Sequence, residues 1–223
     1  SVFNQIKAEF IDFCRTLDFA TLDFIPVSAL EGDMIVDRGE KLDWYRGPTL
    51  LELLETTTAN TQALGEFRFP VQLVARTKLG ERAEFRGYMG RIESGRVSVG
   101  DKVVVLPAGI EAHIKEIVTY NGNPATAIAP QSVTLLLDRQ VDVSRGDLFA
   151  AADALPTVTN QITANLAWLS TQGLDPTRRY LIKHTTQSVR AVLEGIDFLL
   201  DVNTLERKTG VTTFRLNDIG RVR

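Results

Sequence analysis

Apolar residues open the chain at spacings of three and four: Phe3, Ile6, Phe10, Phe13 and Leu17 form one stripe of a helix. A short apolar run over residues 22–27 reads as a buried strand that ends near Pro26. Residues 28–47 are rich in Gly, Asp and Glu and read as a loop. A second helix starts at Thr49. Thr49 and Glu52 have the spacing of a capping box, in which the threonine oxygen and the glutamate satisfy amides that the first turn leaves unpaired. Leu50, Leu51, Leu53 and Leu54 are expected to supply its buried side. Strand, loop and helix in that order fit the last part of an α/β domain.

From residue 65 the pattern changes to short runs rich in β-branched and aromatic residues. Strands are expected at 67–75, 85–92, 102–106, 113–120 and 132–137. Gly95, Gly100-Asp101, Pro107-Ala108-Gly109, residues 121–124 and Gly146-Asp147 punctuate them as turns. Several strands at this spacing, with no helix between them, predict a small closed barrel, whose closure hides its edges. A second β segment follows Leu155-Pro156, with strands expected at 162–169, 180–184, 188–193 and 198–202. Four or five strands barely close a barrel, so this second barrel is expected to be incomplete.

Composition narrows the class. With 223 residues, 44% hydrophobic and 24% charged, the chain has room for one large or several small globular domains. No apolar stretch approaches the ~18 residues of a membrane span, and the first ten residues lack the pattern of a signal peptide. Cys14 is the single cysteine and has no intrachain partner. These features predict a cytoplasmic protein without a membrane partner. Net charge is −3, unevenly spread: 5 basic and 11 acidic residues in 1–64, 11 of each in 65–153, and 9 basic and 6 acidic in 154–223. Nothing here has the density of a nucleic-acid footprint, so no nucleic-acid partner is expected.

Tests for chemistry are largely negative. His113 and His184 stand about 70 residues apart without ligands at zinc-site spacing, so no metal site is expected. Cys14, between Phe13 and Arg15 on the first helix, reads as a buried structural thiol. The sequence has no Gly-x-Ser-x-Gly elbow, and no carboxylate pair stands out as catalytic. The nearest approach to a Walker A loop, residues 90–97, lacks its lysine and hydroxyl residue and lies between two strands. It reads as a hairpin, with Gly95 at a position of positive φ. Neither Asp-x-x-Gly nor Asn-Lys-x-Asp occurs. One nucleotide-related feature remains: Ser28-Ala29-Leu30 at the end of the first predicted strand, where a small residue lets a backbone N–H approach a planar base.

Several strings then converge on one family. Phe24-Ile25-Pro26-Val27-Ser28-Ala29-Leu30-Glu31-Gly32-Asp33 resembles the fifth GTPase motif, and Trp44-Tyr45-Arg46-Gly47-Pro48-Thr49-Leu50-Leu51 the entry to the last helix of a GTPase domain. Arg68-Phe69-Pro70-Val71-Gln72, Phe85-Arg86-Gly87-Tyr88-Met89-Gly90, residues 95–101, Ser144-Arg145-Gly146-Asp147 and Asp201-Val202-Asn203-Thr204-Leu205-Glu206-Arg207 resemble strings of the domains that follow. Together they resemble the large, GTP-binding subunits of bacterial sulfate adenylyltransferase, which are relatives of the elongation-factor-Tu-like translational GTPases. The resemblance covers essentially the whole chain and reads it as an internal fragment.

The resemblance implies three parts. Residues 1–64 would be the C-terminal part of a GTPase domain, an α/β remnant. Residues 65–153 would be a β-barrel second domain and residues 154–223 a third-domain β-barrel, truncated. It implies a nucleotidyltransferase complex in which the large subunit hydrolyses GTP, while a small catalytic subunit joins ATP and sulfate into adenosine 5′-phosphosulfate in sulfate assimilation. That small subunit is the implied partner, in a heterodimer or larger assembly. No catalytic residue is expected in this chain. Ser28, Ala29 and Leu30 carry over as the guanine-contacting loop. GTP and Mg would be cofactors of the full-length protein, and neither is expected to bind the fragment, which should be inactive alone. Two other readings stay open: an elongation-factor-type GTPase that binds tRNA, and a non-catalytic β-barrel interaction module.

Overall fold

The computed structural model describes the chain except residues 16, 18, 20, 58–64 and 78–84. It divides into two compact units, residues 1–61 and 62–223.

In the first unit, α1 spans Val2–Cys14, with the Ser1 hydroxyl accepting from the Asn4 N–H. The predicted stripe is partly engaged. Phe3 meets Trp44 edge-on at 5.3 Å and Phe10 meets Phe24 at 5.9 Å, while the Lys7 ammonium sits over the Phe24 ring. Cys14 is buried, as expected of a structural thiol, but Ile6, Phe10 and Phe13 stay exposed. Helix α2, Leu50–Thr56, has the predicted capping box: the Glu52 N–H donates to Thr49 Oγ1 at 3.2 Å and the Thr49 N–H donates to Glu52 Oε2 at 2.8 Å.

Two expectations fail here. Leu50, Leu51 and Leu54 are exposed and Leu53 is half-buried, so α2 has no buried side. Capping is local and forms regardless; burial needs a neighbouring layer, and none covers these leucines among the described residues of this unit. Residues 22–27 form neither a helix nor a strand of any sheet. A strand needs a neighbour for its N–H and C=O groups. The Phe24 carbonyl instead accepts from the Tyr45 hydroxyl at 3.0 Å.

The second unit begins with eight strands: β1 Arg68–Thr77, β2 Phe85–Arg91, β3 Arg96–Ser98, β4 Lys102–Leu106, β5 Ile110–Val118, β6 Thr126–Ile128, β7 Ser132–Leu137 and β8 Leu148–Ala151. Six of them close an antiparallel barrel in the order β1-β2-β7-β5-β4-β8. Period-2 alternation sends Val103 and Val105 of β4 and Val133, Leu135 and Leu137 of β7 into the core. The intervening Val104 and Leu106 form a smaller outer cluster with Ala150. At the centre Phe149 packs against Phe69 at 5.8 Å and Tyr88 at 5.3 Å. The Tyr88 hydroxyl finds its acceptor in the Val141 carbonyl at 3.1 Å.

The closed barrel agrees with the sequence pattern, but its closure depends on β8, which the pattern did not reveal. The four residues Leu148–Ala151 pair with both β1 and β4 and are too short and too uniformly apolar to show alternation. The short ribbon β3–β6 was likewise not expected. Residues 90–97 are not a hairpin, because β2 pairs with β1 and β7 while β3 pairs with β6. Gly95 does have φ +71°, and a Cβ there would lie 2.5 Å from the Phe67 nitrogen.

Six more strands follow: β9 Ala164–Ala167, β10 Arg179–His184, β11 Gln187–Val192, β12 Ile196–Leu200, β13 Arg207–Lys208 and β14 Ile219–Val222. They make a four-stranded antiparallel sheet, β13-β12-β14-β9, and a separate β10–β11 hairpin. Among the described residues this second β part is not closed. Phe214 and Leu174 are its buried anchors. No helix among the described residues is long and apolar enough to cross a membrane.

Candidate functional site

Ser28, Ala29 and Leu30 lie together at the tip of a compact run of turns. The Ser28 N–H donates to the Asp33 carbonyl at 3.1 Å, and the Ser28 carbonyl accepts from Gly32 at 2.8 Å. The Ser28 hydroxyl accepts from the Glu31 N–H at 3.4 Å. Ser28 is therefore held by the turn through its amide, carbonyl and side chain, while Ala29 and Leu30 project outward, Leu30 at 95% exposure. Among the described residues neither the Ala29 nor the Leu30 N–H donates to the chain. The tip thus offers two backbone donors and an apolar side chain to whatever approaches it.

What holds the tip is the stretch behind it. Met34 is fully buried at φ +61°, and its N–H donates to Asp37 at 2.8 Å. The Met34 and Ile35 carbonyls accept from the Leu50 and Leu51 N–H groups at 2.9 and 3.0 Å. These are amides that the first turn of a helix leaves unpaired, so the loop and the start of α2 fix each other. Arg38 Nη2 donates to the Gly47 carbonyl at 2.9 Å, and Lys41 pairs with Glu31. Gly39, at φ +67°, lies so close to Asp33 that a Cβ would overlap its carboxylate. The sequence showed Ser28–Leu30 but not this support: Met34 acts through a backbone bond to Leu50, and Asp33 and Gly39 through contacts within the loop, none of which leaves a periodic signal. Burial, reinforced by the nearby Asp23 charge, raises the Tyr45 phenol above its ordinary pKa, in keeping with its role as a hydroxyl donor to the Phe24 carbonyl.

The arrangement offers hydrogen-bond donors and an apolar side chain but, among the described residues, no carboxylate, imidazole or thiol group aimed at the tip. No group of His, Cys, Asp and Glu able to hold a metal ion occurs among the described residues. His113 on β5 is exposed, and its Nδ1 lies 3.2 Å from Asp138 Oδ2. This pairing spans 25 residues and escaped the short-spacing test. Asp138 is held below the usual carboxylate range, first by the His113 backbone N–H. His184 ends β10 at the surface.

Comparison with known proteins adds three findings. The model of GTP-eEF1A C-terminal domain-like proteins matches residues 161–223. Sulfate adenylyltransferase subunit 1 of Alteromonas mediterranea is 40% identical over 222 residues, 99% of this chain and 46% of that protein. The subunit 1 of Cellvibrio japonicus is 43% identical over 100% of this chain and 46% of its own length. The bifunctional enzyme CysN/CysC of Rhodopirellula baltica is 43% identical over 99% of this chain and 34% of its own length. The chain therefore spans less than half the length of these curated relatives. Among solved structures, Sup35 complexed with GDP superposes with a TM-score of 0.62 at 20% identity, over 98% of this chain and 55% of that one. Elongation factor SelB of Methanococcus maripaludis superposes at 0.55 and 19% identity, over 78% of this chain and 37% of its own. At these identities the two structures speak for the fold.

Proposed function

We propose, for a chain that belongs to the family of sulfate adenylyltransferase subunit 1, that the full-length protein is the GTPase subunit of a sulfate-activating nucleotidyltransferase. In that complex GTP hydrolysis drives the otherwise unfavourable joining of ATP and sulfate into adenosine 5′-phosphosulfate and pyrophosphate. The adenylyl-transfer chemistry belongs to a small catalytic partner subunit. The protein works in the cytoplasm, uses Mg with its GTP, and takes no nucleic acid. The observation that carries this reading is the 40–43% identity sustained from one end of the chain to the other.

This chain contributes base selection. The Ala29 N–H, on an exposed residue and without an acceptor among the described residues, donates to guanine O6, where adenine presents an amino donor instead. Ser28 holds the tip in place, and Leu30 lies against the base. Phosphate and magnesium ligation falls to parts of the full-length protein with other motifs, because this sequence has no Walker A, Asp-x-x-Gly or Asn-Lys-x-Asp string. Residues 1–64 form the end of the GTPase domain, 65–153 the second domain and 154–223 the third.

The test reconstitutes the full-length protein with its small partner subunit and follows adenosine 5′-phosphosulfate with and without GTP. GTP-dependent synthesis, and recovery of the small subunit rather than aminoacyl-tRNA in a pull-down, are the expected results. Capture of aminoacyl-tRNA with no effect of GTP on sulfate activation would replace this reading with that of a translation factor.

A further inference from the structure

At one end of the closed barrel lies a pocket of about 200 Å³, lined among others by Arg86, Tyr88, Lys115, Asp138 and Arg139. Arg86 stands two residues before Tyr88 on β2, so both side chains are on the inward face of the strand, with the guanidinium 5.6 Å from the Tyr88 ring centre. The Arg86 side chain is only 16% exposed, and its Nε and Nη2 are buried with no hydrogen-bond acceptor. Among the described residues the carboxylate paired with it is Asp142, 3.8 Å from Nη2 and itself 98% exposed, too distant to accept a hydrogen bond. Burying a charged donor without an acceptor is costly, so this guanidinium is a group prepared for a partner the chain does not supply among its described residues.

Two further cations share the pocket. Lys115 is the extra residue of a β-bulge: Ile114 faces Leu137 and Glu116 faces Leu136, leaving Lys115 unpaired between them. Bulges at barrel rims re-aim a side chain, and here the re-aimed side chain lines the pocket. Arg139 is the second residue after β7 and lines the pocket. The one carboxylate lining the pocket, Asp138, is committed to His113 through both oxygens, at 3.0 and 3.2 Å. Three cations thus line the pocket with one carboxylate, which is already bound to His113, while the exposed Asp142 lies outside the lining.

We propose that this pocket binds a tetrahedral oxyanion of the sulfate or phosphate type. Arg86 Nε and Nη2 form one edge of the guanidinium, whose parallel N–H bonds match two oxygens of one oxyanion. Both atoms are buried as the side chain stands, so binding requires a turn about its last bonds that brings this edge to the pocket, where Lys115 and Arg139 would close over the remaining oxygens. The volume is below the ~300–1,000 Å³ of sites for whole drug-sized ligands. The occupant is therefore a free inorganic ion or a single phosphoryl group projecting from a larger molecule. The pocket is lined by residues of the second unit alone and does not depend on the guanine reading.

The experiment titrates sodium sulfate and sodium phosphate into the protein by calorimetry, at constant ionic strength set with chloride, with AMP as the arm that carries its phosphoryl group on a nucleotide. Saturable one-site binding of the inorganic ions is expected, and AMP competing for the same site identifies a nucleotide source. Arg86→Lys keeps the charge but loses the fork and should weaken binding about tenfold or more. Lys115→Gln and Arg139→Gln change only exposed side chains, leave the melting temperature in place and should each weaken binding several-fold. They keep the test valid should Arg86→Lys fold poorly. Absence of saturable binding by the wild-type protein overturns the proposal. So does wild-type affinity in both Arg86→Lys and Arg139→Gln.

Discussion

Replacing Ala29 with proline removes one donor from the candidate base-reading tip and little else. The Ala29 N–H makes no hydrogen bond within the chain among the described residues, so folding loses none. Ala29 is not among the residues at positive φ and directly follows the anchored Ser28, a turn position that proline tolerates. What disappears is the proposed hydrogen bond to the guanine oxygen. A donor lost opposite a buried acceptor costs about 1–3 kcal/mol, about five- to 150-fold in affinity. Proline also restricts the residue before it, so the Ser28 amide bond to Asp33 has to survive for the measurement to be clean. Ala29→Gly keeps the N–H and should bind GTP almost normally. Leu30→Ala keeps every amide and trims a side chain that is 95% exposed, which isolates the apolar contribution. The assay is GTP and ATP affinity of the three variants in the full-length protein with its partner subunit, alongside their melting temperatures. If Ala29→Pro melts normally and keeps full GTP affinity and guanine preference, the tip does not read the base.

Other perturbations probe the fold. Phe149→Ala empties the centre of the barrel beside Phe69 and Tyr88 and should lower unfolding free energy by about 3–5 kcal/mol in urea titrations; a loss below about 1 kcal/mol would show that ring to be peripheral. Gly95→Ala should cost at least about 1–2 kcal/mol from positive φ alone, with more from the close Phe67 and Glu66 backbone; an unchanged denaturation midpoint would contradict the observed turn. Asp201 accepts from Lys208, Asn203 and Thr204, and the Lys208 contact leads in holding its carboxyl below the usual range. Because the folded pKa is depressed, this contribution is present above the ordinary value of about 3.9 and fades as pH falls through the lower folded value. Asp201→Asn should therefore flatten the acid limb of stability below about pH 4, and an unaltered limb would count against the contact.

Local information in the sequence reached a long way. The spacing of Phe3, Ile6, Phe10 and Phe13 specified α1, and Thr49 with Glu52 specified the start of α2, because helical periodicity and capping involve residues within one or two turns. Alternation and turn residues marked most of the barrel strands and the existence of a closed β body for the same reason. The Ser28–Leu30 tip was legible as a string. Only the tertiary structure decided what depends on partners distant in the chain. It assigned Leu148–Ala151 the role of closing the barrel, a pairing with strands about 45 and 80 residues upstream. It left residues 22–27 without a sheet and α2 without a buried face, since strand pairing and burial belong to neighbours rather than to the segment itself. It brought Asp138 to His113, aimed Lys115 through a bulge that shifts register by one residue, and buried Arg86 without an acceptor. Each of these rests on long-range register, which composition and spacing do not encode within any short window.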